Sequence, residues 1–343
     1  MEILVSLIIS IRKQLRFVAG WRRIAPAFLS AFLFSRASGQ GSIPDQQYIS
    51  IQHDNDLLNP TFNGTDEYYT AGLNLRYGYV SSSGKNILRK ILFAPGHPPV
   101  SFMTIGISQK MYTPENLKLR ESSSGDYPYS GELFLNFSRE NELGPRQRFR
   151  TELWLGTMGP PALTRQTQML VHRILDREEP EGWNHQLPAY PVINYNLYFE
   201  PNLSSVGEHI NINGFLYTQT GSLLNTATAG IKLLISSARD DYYPERVYEP
   251  DEKKHHPGKV FLELIPAVQF VAYNSILQGG LFTQKNYYYI KEGDLERVVL
   301  KTKGMIGFRT GGFLIFYEQQ ISTREFKTVH AHNYGTIGIS VKI

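Results

Sequence analysis

Two short stretches of the sequence carry side chains that could do chemistry. The first, residues 51–72, reads "IQHDNDLLNPTFNGTDEYYTAG" and places Asp54, Asn55 and Asp56 shortly before Asp66 and Glu67. Carboxylate and amide oxygens grouped in this way either form an ordinary solvated turn or gather around a hard cation. The spacing does not match an EF-hand loop, and the residue types alone leave both interpretations open.

The second stretch, residues 162–178, reads "ALTRQTQMLVHRILDRE" and has apolar residues at helical spacing after a Gly-Pro-Pro stop signal. Gln168 and His172 are four residues apart and therefore share one face of the predicted helix. Glu178 follows at the end of that helix. An imidazole here could activate water, and a neighbouring amide or carboxylate could orient the ring. The stretch offers no obvious activated serine.

Strands must position these side chains, because most of the chain alternates with period two. In "TAGLNLRYGYV", Leu73 and Leu75 share one face while Thr70, Asn74 and Arg76 share the other. The same pattern predicts twelve strands, near residues 47–56, 68–80, 100–112, 128–139, 146–157, 190–200, 206–218, 222–236, 258–273, 294–309, 312–323 and 332–343.

An even number of strands of this length is typical of a bacterial outer-membrane barrel. A soluble β-sandwich could imitate the alternation, but it would normally use shorter strands and keep an apolar interior. Here the minor face carries Asn, Arg, Gln and Lys, and closure would remove every unpaired strand edge. We therefore predict an all-β fold, a 12-stranded antiparallel transmembrane β-barrel with a short helix in an extracellular loop.

The composition narrows the class of protein. The 343 residues include no cysteine, which excludes disulfides and thiolate chemistry, and the net charge is only +4. Five basic residues lie in the first 23 positions, and the remainder of the chain is near neutral, so nucleic acid is a poor candidate for a partner. That basic stretch precedes the apolar run 24–34, which predicts a signal peptide over residues 1–39 and a barrel domain over residues 40–343. A retained membrane anchor is the alternative.

Strand parity predicts which connections face the cell exterior. With the first strand running outward, the connections 57–67, 113–127 and 158–189 all lie on the outer side. Asn55, Asp56 and Thr70 would then meet at the outer rim, with the predicted helix above them. The connection 239–258 falls on the periplasmic side, although it is long and polar, so a further hairpin within it is an alternative.

Four patches of the sequence together carry a family resemblance. These are "DND" at 54–56, "DEYYTAG" at 66–72, "MYTPEN" at 111–116, and "QMLVHRIL" at 168–175, which is followed by Glu178 and Trp183. In this combination the chain resembles the lipid A 3-O-deacylase family of the outer membrane, the LpxR family. The resemblance implies a calcium-dependent esterase that removes the 3'-linked acyloxyacyl group from lipid A of lipopolysaccharide in the outer leaflet. We expect it to act in the bacterial outer membrane as a monomer, with its active site facing the exterior.

The resemblance also assigns roles to residues. It places Asn55, Asp56 and Thr70 at a Ca²⁺ and oxyanion site, and makes His172 the general base of a Gln-x-x-x-His helix. The remaining predicted site residues are Gln168, Glu178 and Lys118, of which Lys118 is the nearest match to a lysine of the family's site. Predicted ligands of the metal are Asp56, Asn55, Thr70 and Glu178.

Two other functions are compatible with the same residues. A polar lumen would suit a barrel that is not an enzyme, such as a small pore or an adhesion protein. A phospholipid esterase could use the same site at the rim with a different lipid.

Overall fold

The structure is a computed structural model that describes residues 46–59, 68–82, 86–120, 125–144, 146–239, 241–243, 245, 258–281 and 290–343. The predicted signal peptide, Asp66 and Glu67 lie outside these ranges. The chain divides into two compact units. One holds Pro44–Thr164 and Glu181–Ile343, and the described part of the other is Arg165–Pro180.

Twelve antiparallel strands make up the larger unit, as predicted. They are β1 (Gln47–Asn55), β2 (Tyr68–Ser81), β3 (Ser101–Thr113), β4 (Ser130–Gly144), β5 (Gln147–Met158), β6 (Tyr190–Val206), β7 (Ile210–Gly221), β8 (Leu224–Ser236), β9 (Lys259–Asn274), β10 (Val298–Thr310), β11 (Phe313–Ser322) and β12 (His332–Lys342). Each strand pairs with its sequence neighbours, and β1 also pairs with β12, so the sheet closes into a barrel. Closure leaves no strand edge without a partner.

The two faces of the strands meet different surroundings. On β12, Ile337 and Val341 are exposed on the outside of the barrel, whereas Thr336 and Ser340 are buried inside it. The outward face of the other strands also carries exposed apolar side chains, including Leu135 on β4. An apolar exterior around a polar interior is the pattern of a transmembrane barrel.

The described residues of the connections include three short helices. They are α1 (Ile87–Ile91), α2 (Thr164–Ile174) and α3 (Ser275–Gln278). The connections between β4 and β5, β6 and β7, and β10 and β11 are short, as is typical of the periplasmic end of a barrel. Because the strands are antiparallel, the longer connections between β2 and β3 and between β8 and β9 lie at the same end, and the connection after β5 begins at the opposite, outer end. No helix in the described part of the chain is long and apolar enough to cross a membrane.

Helix α2 is shorter than the predicted span of 162–178. Residues 160–162 form a separate 3-10 turn. Leu163 has a φ of 59°, and this left-handed residue separates the turn from the helix. At the other end Asp176 has a φ of 53°, and the backbone N–H of Arg177 donates to the carbonyl of His172 at 2.8 Å. A left-handed residue followed by this hydrogen bond is the Schellman ending of a helix.

Most of the periplasmic connection between β8 and β9 lies outside the described residues, and so does the alternative of a further hairpin within it. Strand β8 ends at Ser236 and β9 begins at Lys259. Between them the described residues turn back into the barrel, where the hydroxyl of Tyr243 donates to the carbonyl of Glu200 at 3.1 Å. This connection therefore occupies part of the lumen.

Charged side chains hold the same connection in place. The carboxylate of Glu245 lies 2.8 Å from the guanidinium of Arg148 and 3.1 Å from the ammonium of Lys232. Arg148 and Lys232 also pair with Glu200, which is fully buried. Buried charges require partners of opposite sign, and each of these four groups has at least two.

Candidate active site

The end of β1 places two predicted site residues at the outer rim of the barrel. Asn55 is the last residue of β1 and pairs with Ala71 of β2. Asp56 opens a 3-10 turn of three residues, and the backbone N–H of Asn59 donates to its carbonyl at 3.1 Å. The Asp56 residue is only 2% exposed. A carboxylate is therefore fixed in a buried position directly after the strand.

A β-bulge orients the third residue of this group. The register of β2 against β3 shifts between Tyr69 and Ala71, so Thr70 is the extra residue of the bulge. Its hydroxyl oxygen lies 2.5 Å from that of Thr113. Thr113 lies on the same face of β3 as Ile107, because the two residues are six positions apart. The side chain of Ile107 is exposed on the outside of the wall.

This position differs from the sequence prediction for Thr70. Period two placed it on the polar face with Asn74, which lies in the lumen. The bulge changes the alternation at that point, because one inserted residue reverses the face of its neighbour. Thr70 and Thr113 consequently sit together on the outer surface of the wall, and both are buried. Thr113 was missed in the sequence analysis, since nothing in the sequence signals the bulge that makes it the partner of Thr70.

The two aspartates of the "DND" motif have different surroundings. Asp54 accepts hydrogen bonds from the hydroxyl of Tyr69 at 2.6 Å and from that of Thr336 at 3.0 Å, on the lumen side. Asp56 lies beyond the end of the strand. The side chain of Asp54 therefore forms its hydrogen bonds inside the barrel. Asn55 and Asp56 remain at the rim beside Thr70.

Helix α2 presents Gln168 and His172 on one face, as their spacing predicts. Both are buried, at 3% and 5% exposure, whereas Arg165, Leu170 and Arg173 on the other faces are exposed. Deep burial of two polar side chains one turn apart is unusual for a short surface helix. These two residues are therefore the polar groups that the helix presents to its buried side.

The ring of His172 is oriented by the chain that follows the helix. Its Nδ1 lies 2.5 Å from the backbone carbonyl oxygen of Glu178. A carbonyl oxygen can only accept, so Nδ1 carries the proton and Nε2 is the nitrogen with the basic lone pair. The Schellman ending at Asp176 turns the chain back and brings this carbonyl to the ring.

Glu178 makes this contact through its backbone carbonyl, and the residue is exposed. The neighbouring Glu179 accepts a hydrogen bond from Nε of Arg173 at 2.5 Å, and this bond lowers the pKa of the Glu179 carboxyl below its ordinary value. That ion pair fastens the same turn to the helix.

The predicted lysine lies on an exposed loop. Lys118 belongs to the connection 114–129, where its backbone N–H donates to the side-chain oxygen of Asn116 at 3.0 Å. Its role at the site stays a prediction.

Two outer connections pack together beside the rim. Trp183 is 1% exposed, and its ring lies 5.1 Å from the ring of Tyr129. The hydroxyl of Tyr129 and the backbone N–H of Glu181 both donate to the carbonyl of Leu117, at 3.1 and 3.0 Å. Trp183, one of the residues in the family resemblance, is thus a packing residue that joins the connection after β3 to the one after β5.

The residues 159–164, which lead into α2 and belong to the larger unit, are held closely against the wall. Gln109 on β3 donates to the carbonyl of Ala162 at 2.7 Å, and Gly159 donates its N–H to the carbonyl of Gly131 at 2.8 Å. A Cβ atom added to Gly131 would lie 1.9 Å from the hydroxyl oxygen of Thr164, the first residue of the helix. Only glycine permits this approach.

We predict that Gly131→Ala lowers activity more than it lowers barrel stability. Overpacking of this kind typically costs about 1–3 kcal/mol, and here the strain falls on the first residue of α2. Lipid hydrolysis and proteolytic cleavage between residues 159 and 189 should be measured together. The double variant Gly131→Ala with Thr164→Gly should recover activity, and an unchanged rate in Gly131→Ala alone would contradict the prediction.

The rim residues have the right chemistry for a hard cation. Asp56, Asn55 and Thr70 offer carboxylate, amide and hydroxyl oxygens, and Ca²⁺ accepts all three together with backbone carbonyls and water. No group of three or more His, Asp or Glu side chains able to hold a metal occurs in the part of the chain that the structure describes. A site here would therefore have few carboxylates, which is typical of weak Ca²⁺ binding.

Comparisons with known proteins give one family model and several solved structures. A family model described as outer membrane protein LpxR matches residues 26–343. LpxR from Salmonella typhimurium has a TM-score of 0.65 at 20% identity, and the match covers 86% of this chain and 100% of that one. The NanC porin matches at 6% identity with a TM-score of 0.38, covering 86% and 100% of the two chains. The beta domain of the Bordetella autotransporter Brka matches at 7% identity with a TM-score of 0.38, covering 87% and 99%. A comparison with curated proteins gives no match. The Salmonella structure thus shares the fold of this barrel.

Proposed function

The chain belongs to the LpxR family of outer membrane proteins, and from this we propose that it is a lipid A deacylase of the outer leaflet. In its finer form the proposal is a Ca²⁺-dependent hydrolysis of the ester that carries the 3'-linked acyloxyacyl group. The observation that carries it is the family match over residues 26–343, which includes every described strand.

The buried histidine supports a general-base step. We propose that Nε2 of His172 takes a proton from water while the resulting hydroxide attacks the ester carbonyl. The same nitrogen then returns the proton to the leaving alkoxide oxygen, which balances the reaction. The hydrogen bond from Nδ1 to the Glu178 carbonyl holds the ring in the required tautomer. Gln168 lies on the same buried face and is proposed to position the ring or the water.

The rim oxygens support stabilisation of the negative charge that forms. In the proposal Asp56 and Asn55 hold Ca²⁺, with Thr70 as a further oxygen ligand or hydrogen-bond donor. When bound, the ion would supply positive charge near the developing oxyanion. Thr113, 2.5 Å from the Thr70 hydroxyl, fixes the direction in which that hydroxyl points. We treat Thr113 as a positioning residue of the proposed site.

The side of the wall supports a lipid as substrate. Thr70 and Thr113 lie on the face of β2 and β3 that continues into exposed apolar residues such as Ile107. A lipid in the outer leaflet meets that face directly, whereas a water-soluble substrate would approach through the lumen. Lipid A and phospholipid would both meet this face of the wall.

A direct comparison of the two lipids tests the proposal. Purified protein is given lipid A and phosphatidylethanolamine in one mixed micelle with Ca²⁺. We expect loss of acyl chains from lipid A only. Release of fatty acid from the phospholipid alone would identify the protein as a phospholipid esterase instead.

The filled lumen argues against a pore. Glu245, Arg148 and Lys232 form contacts of 2.8 and 3.1 Å inside the barrel, and Tyr243 is 1% exposed. Groups packed in this way leave little room for an aqueous channel in this part of the barrel. We therefore favour the enzyme over the non-enzymatic alternative.

Conductance measurements check this point. In planar bilayers the wild-type barrel should pass little or no steady ion current. The double variant Tyr243→Ala and Glu245→Ala removes the hydrogen bond of Tyr243 to Glu200 and the ion pairs of Glu245 with Arg148 and Lys232, so it should conduct more. Gln147→Ala, at an exposed position at the same end of the barrel, serves as the control. A steady porin-like current through the wild-type protein would support the pore.

A further inference from the structure

The periplasmic connection between β2 and β3 carries an exposed apolar surface. It contains α1 and leaves Ile87 63% exposed, Ile91 47% exposed and Phe93 55% exposed. Ile87 and Ile91 are one helical turn apart and therefore share a face. Lys90 beside them is also exposed. Three large apolar side chains on one short segment form an exposed apolar patch, unlike single hydrophobic residues scattered over a surface.

This connection is rigidly built. The side chain of Asn86 caps α1 by accepting from the N–H of Leu88 at 2.9 Å. The guanidinium of Arg89 donates to the carbonyls of Ser81, Pro98 and Pro99 at 2.6 to 3.0 Å, which ties the helix to both ends of the connection. The exposed face is therefore held in one orientation.

The connection lies against the outside of the barrel wall. The carbonyl of Ile91 accepts from the hydroxyl of Tyr195 at 3.1 Å, and that same hydroxyl accepts from the N–H of Phe93 at 3.0 Å. The Phe93 ring meets that of Phe149 edge-on at 5.9 Å. Tyr195 lies on the same face of β6 as Ile193, and Phe149 lies on the same face of β5 as Leu155. Ile193 and Leu155 are exposed on the outside of the wall.

A buried arginine explains why the wall needs this cover. Arg139 is on the outward face of β4, where a bare guanidinium would be costly in lipid. It is 5% exposed and donates to the carbonyls of Arg89 and Leu92 at 2.9 and 3.0 Å. The connection thus provides carbonyl acceptors for the Arg139 guanidinium. It also covers the guanidinium with an apolar outer surface.

From this geometry we propose that residues 87–93 bind the periplasmic leaflet of the outer membrane. Ile87, Ile91 and Phe93 insert among the acyl chains near the headgroup boundary, and Lys90 contacts phospholipid phosphate. The occupant is lipid because the exposed face is continuous with the lipid-facing band of the barrel, through Tyr195 and Phe149. An amphipathic segment with one basic residue and large apolar residues is suited to that interface.

Site-directed labelling tests this proposal without any assay of lipid hydrolysis. The sequence has no cysteine, so single variants Ile91→Cys and Phe93→Cys can carry one environment-sensitive fluorophore each. The labelled proteins are folded into vesicles of phosphatidylethanolamine and phosphatidylglycerol that contain lipids with a quencher at a known acyl depth. Leu135→Cys on the lipid-facing wall is the positive control, and Glu208→Cys in a polar periplasmic turn is the negative control.

We expect lipid quenching at positions 91 and 93 comparable to that of shallow lipid-facing sites, and several-fold stronger than at position 208. Aqueous iodide should quench position 208 and spare 91 and 93. Iodide quenching at 91 and 93 without lipid quenching would overturn the proposal. Protection from both quenchers, with cross-linking between copies through position 91, would also overturn it by showing that a second chain covers the surface.

Discussion

His172→Asn is expected to abolish most lipid A deacylation while the barrel still folds and inserts. Asparagine is similar in size but cannot accept a proton near neutral pH. Loss of a general base typically lowers the rate by about 10² to 10⁴-fold. Because the ring contacts a backbone carbonyl through Nδ1, the amide of asparagine can retain a hydrogen bond there. The loss should therefore appear in kcat and leave the fold unchanged.

Mass spectrometry of lipid A and heat-modifiable gel mobility measure these two properties separately. Gln166→Ala, at an exposed position of α2, is the matched control and should leave the rate unchanged. Glu178→Gln adds a second comparison, since the carbonyl that orients His172 is unaffected by the change. Full deacylation by His172→Asn would show that another group activates the water.

Asp56→Asn is expected to raise the Ca²⁺ concentration needed for activity by tenfold or more and to lower the maximal rate. The buried carboxylate is the charged oxygen donor in the proposed rim site, and Ca²⁺ binding strength depends on the number of charged ligands. Chelation by EDTA should remove activity from the wild-type protein, and added Ca²⁺ should restore it. Mg²⁺ should substitute poorly, because it requires near-ideal octahedral geometry.

Asp54→Asn is the decisive control for this prediction. Asp54 is two residues away in the same motif, yet it bonds to Tyr69 and Thr336 on the lumen side. Its replacement should leave the Ca²⁺ requirement unchanged, apart from any loss of stability. Equal effects of the two substitutions, or activity of the wild type in EDTA, would contradict a calcium site at Asp56.

The alternation of apolar and polar residues was sufficient to predict the barrel. Each of the twelve predicted strands has a counterpart, because lipid outside and polar groups inside impose period two along the whole span. The helix was predicted by its change of period. Its ends were not, since Leu163 and Asp176 adopt left-handed conformations that no local pattern signals.

The details of the rim depend on contacts between distant residues. Thr70 and Thr113 are 43 residues apart, and only the bulge in β2 brings their hydroxyls together. The separation of Asp54 from Asp56 likewise depends on where β1 ends. The lumen connection held by Glu245 depends on buried charges from several strands. Such placements follow from register and closure, which a single strand's sequence does not specify.

Hydrolysis of lipid A in water enriched in oxygen-18 tests the central claim most directly. With Ca²⁺ present, the account predicts that the purified protein removes the 3'-linked acyloxyacyl group and that the released acid carries one atom of the heavy isotope. Tandem mass spectrometry reads both the position of cleavage and the label. Lipid A that keeps all its acyl chains, or an acid released without the label, would contradict the account.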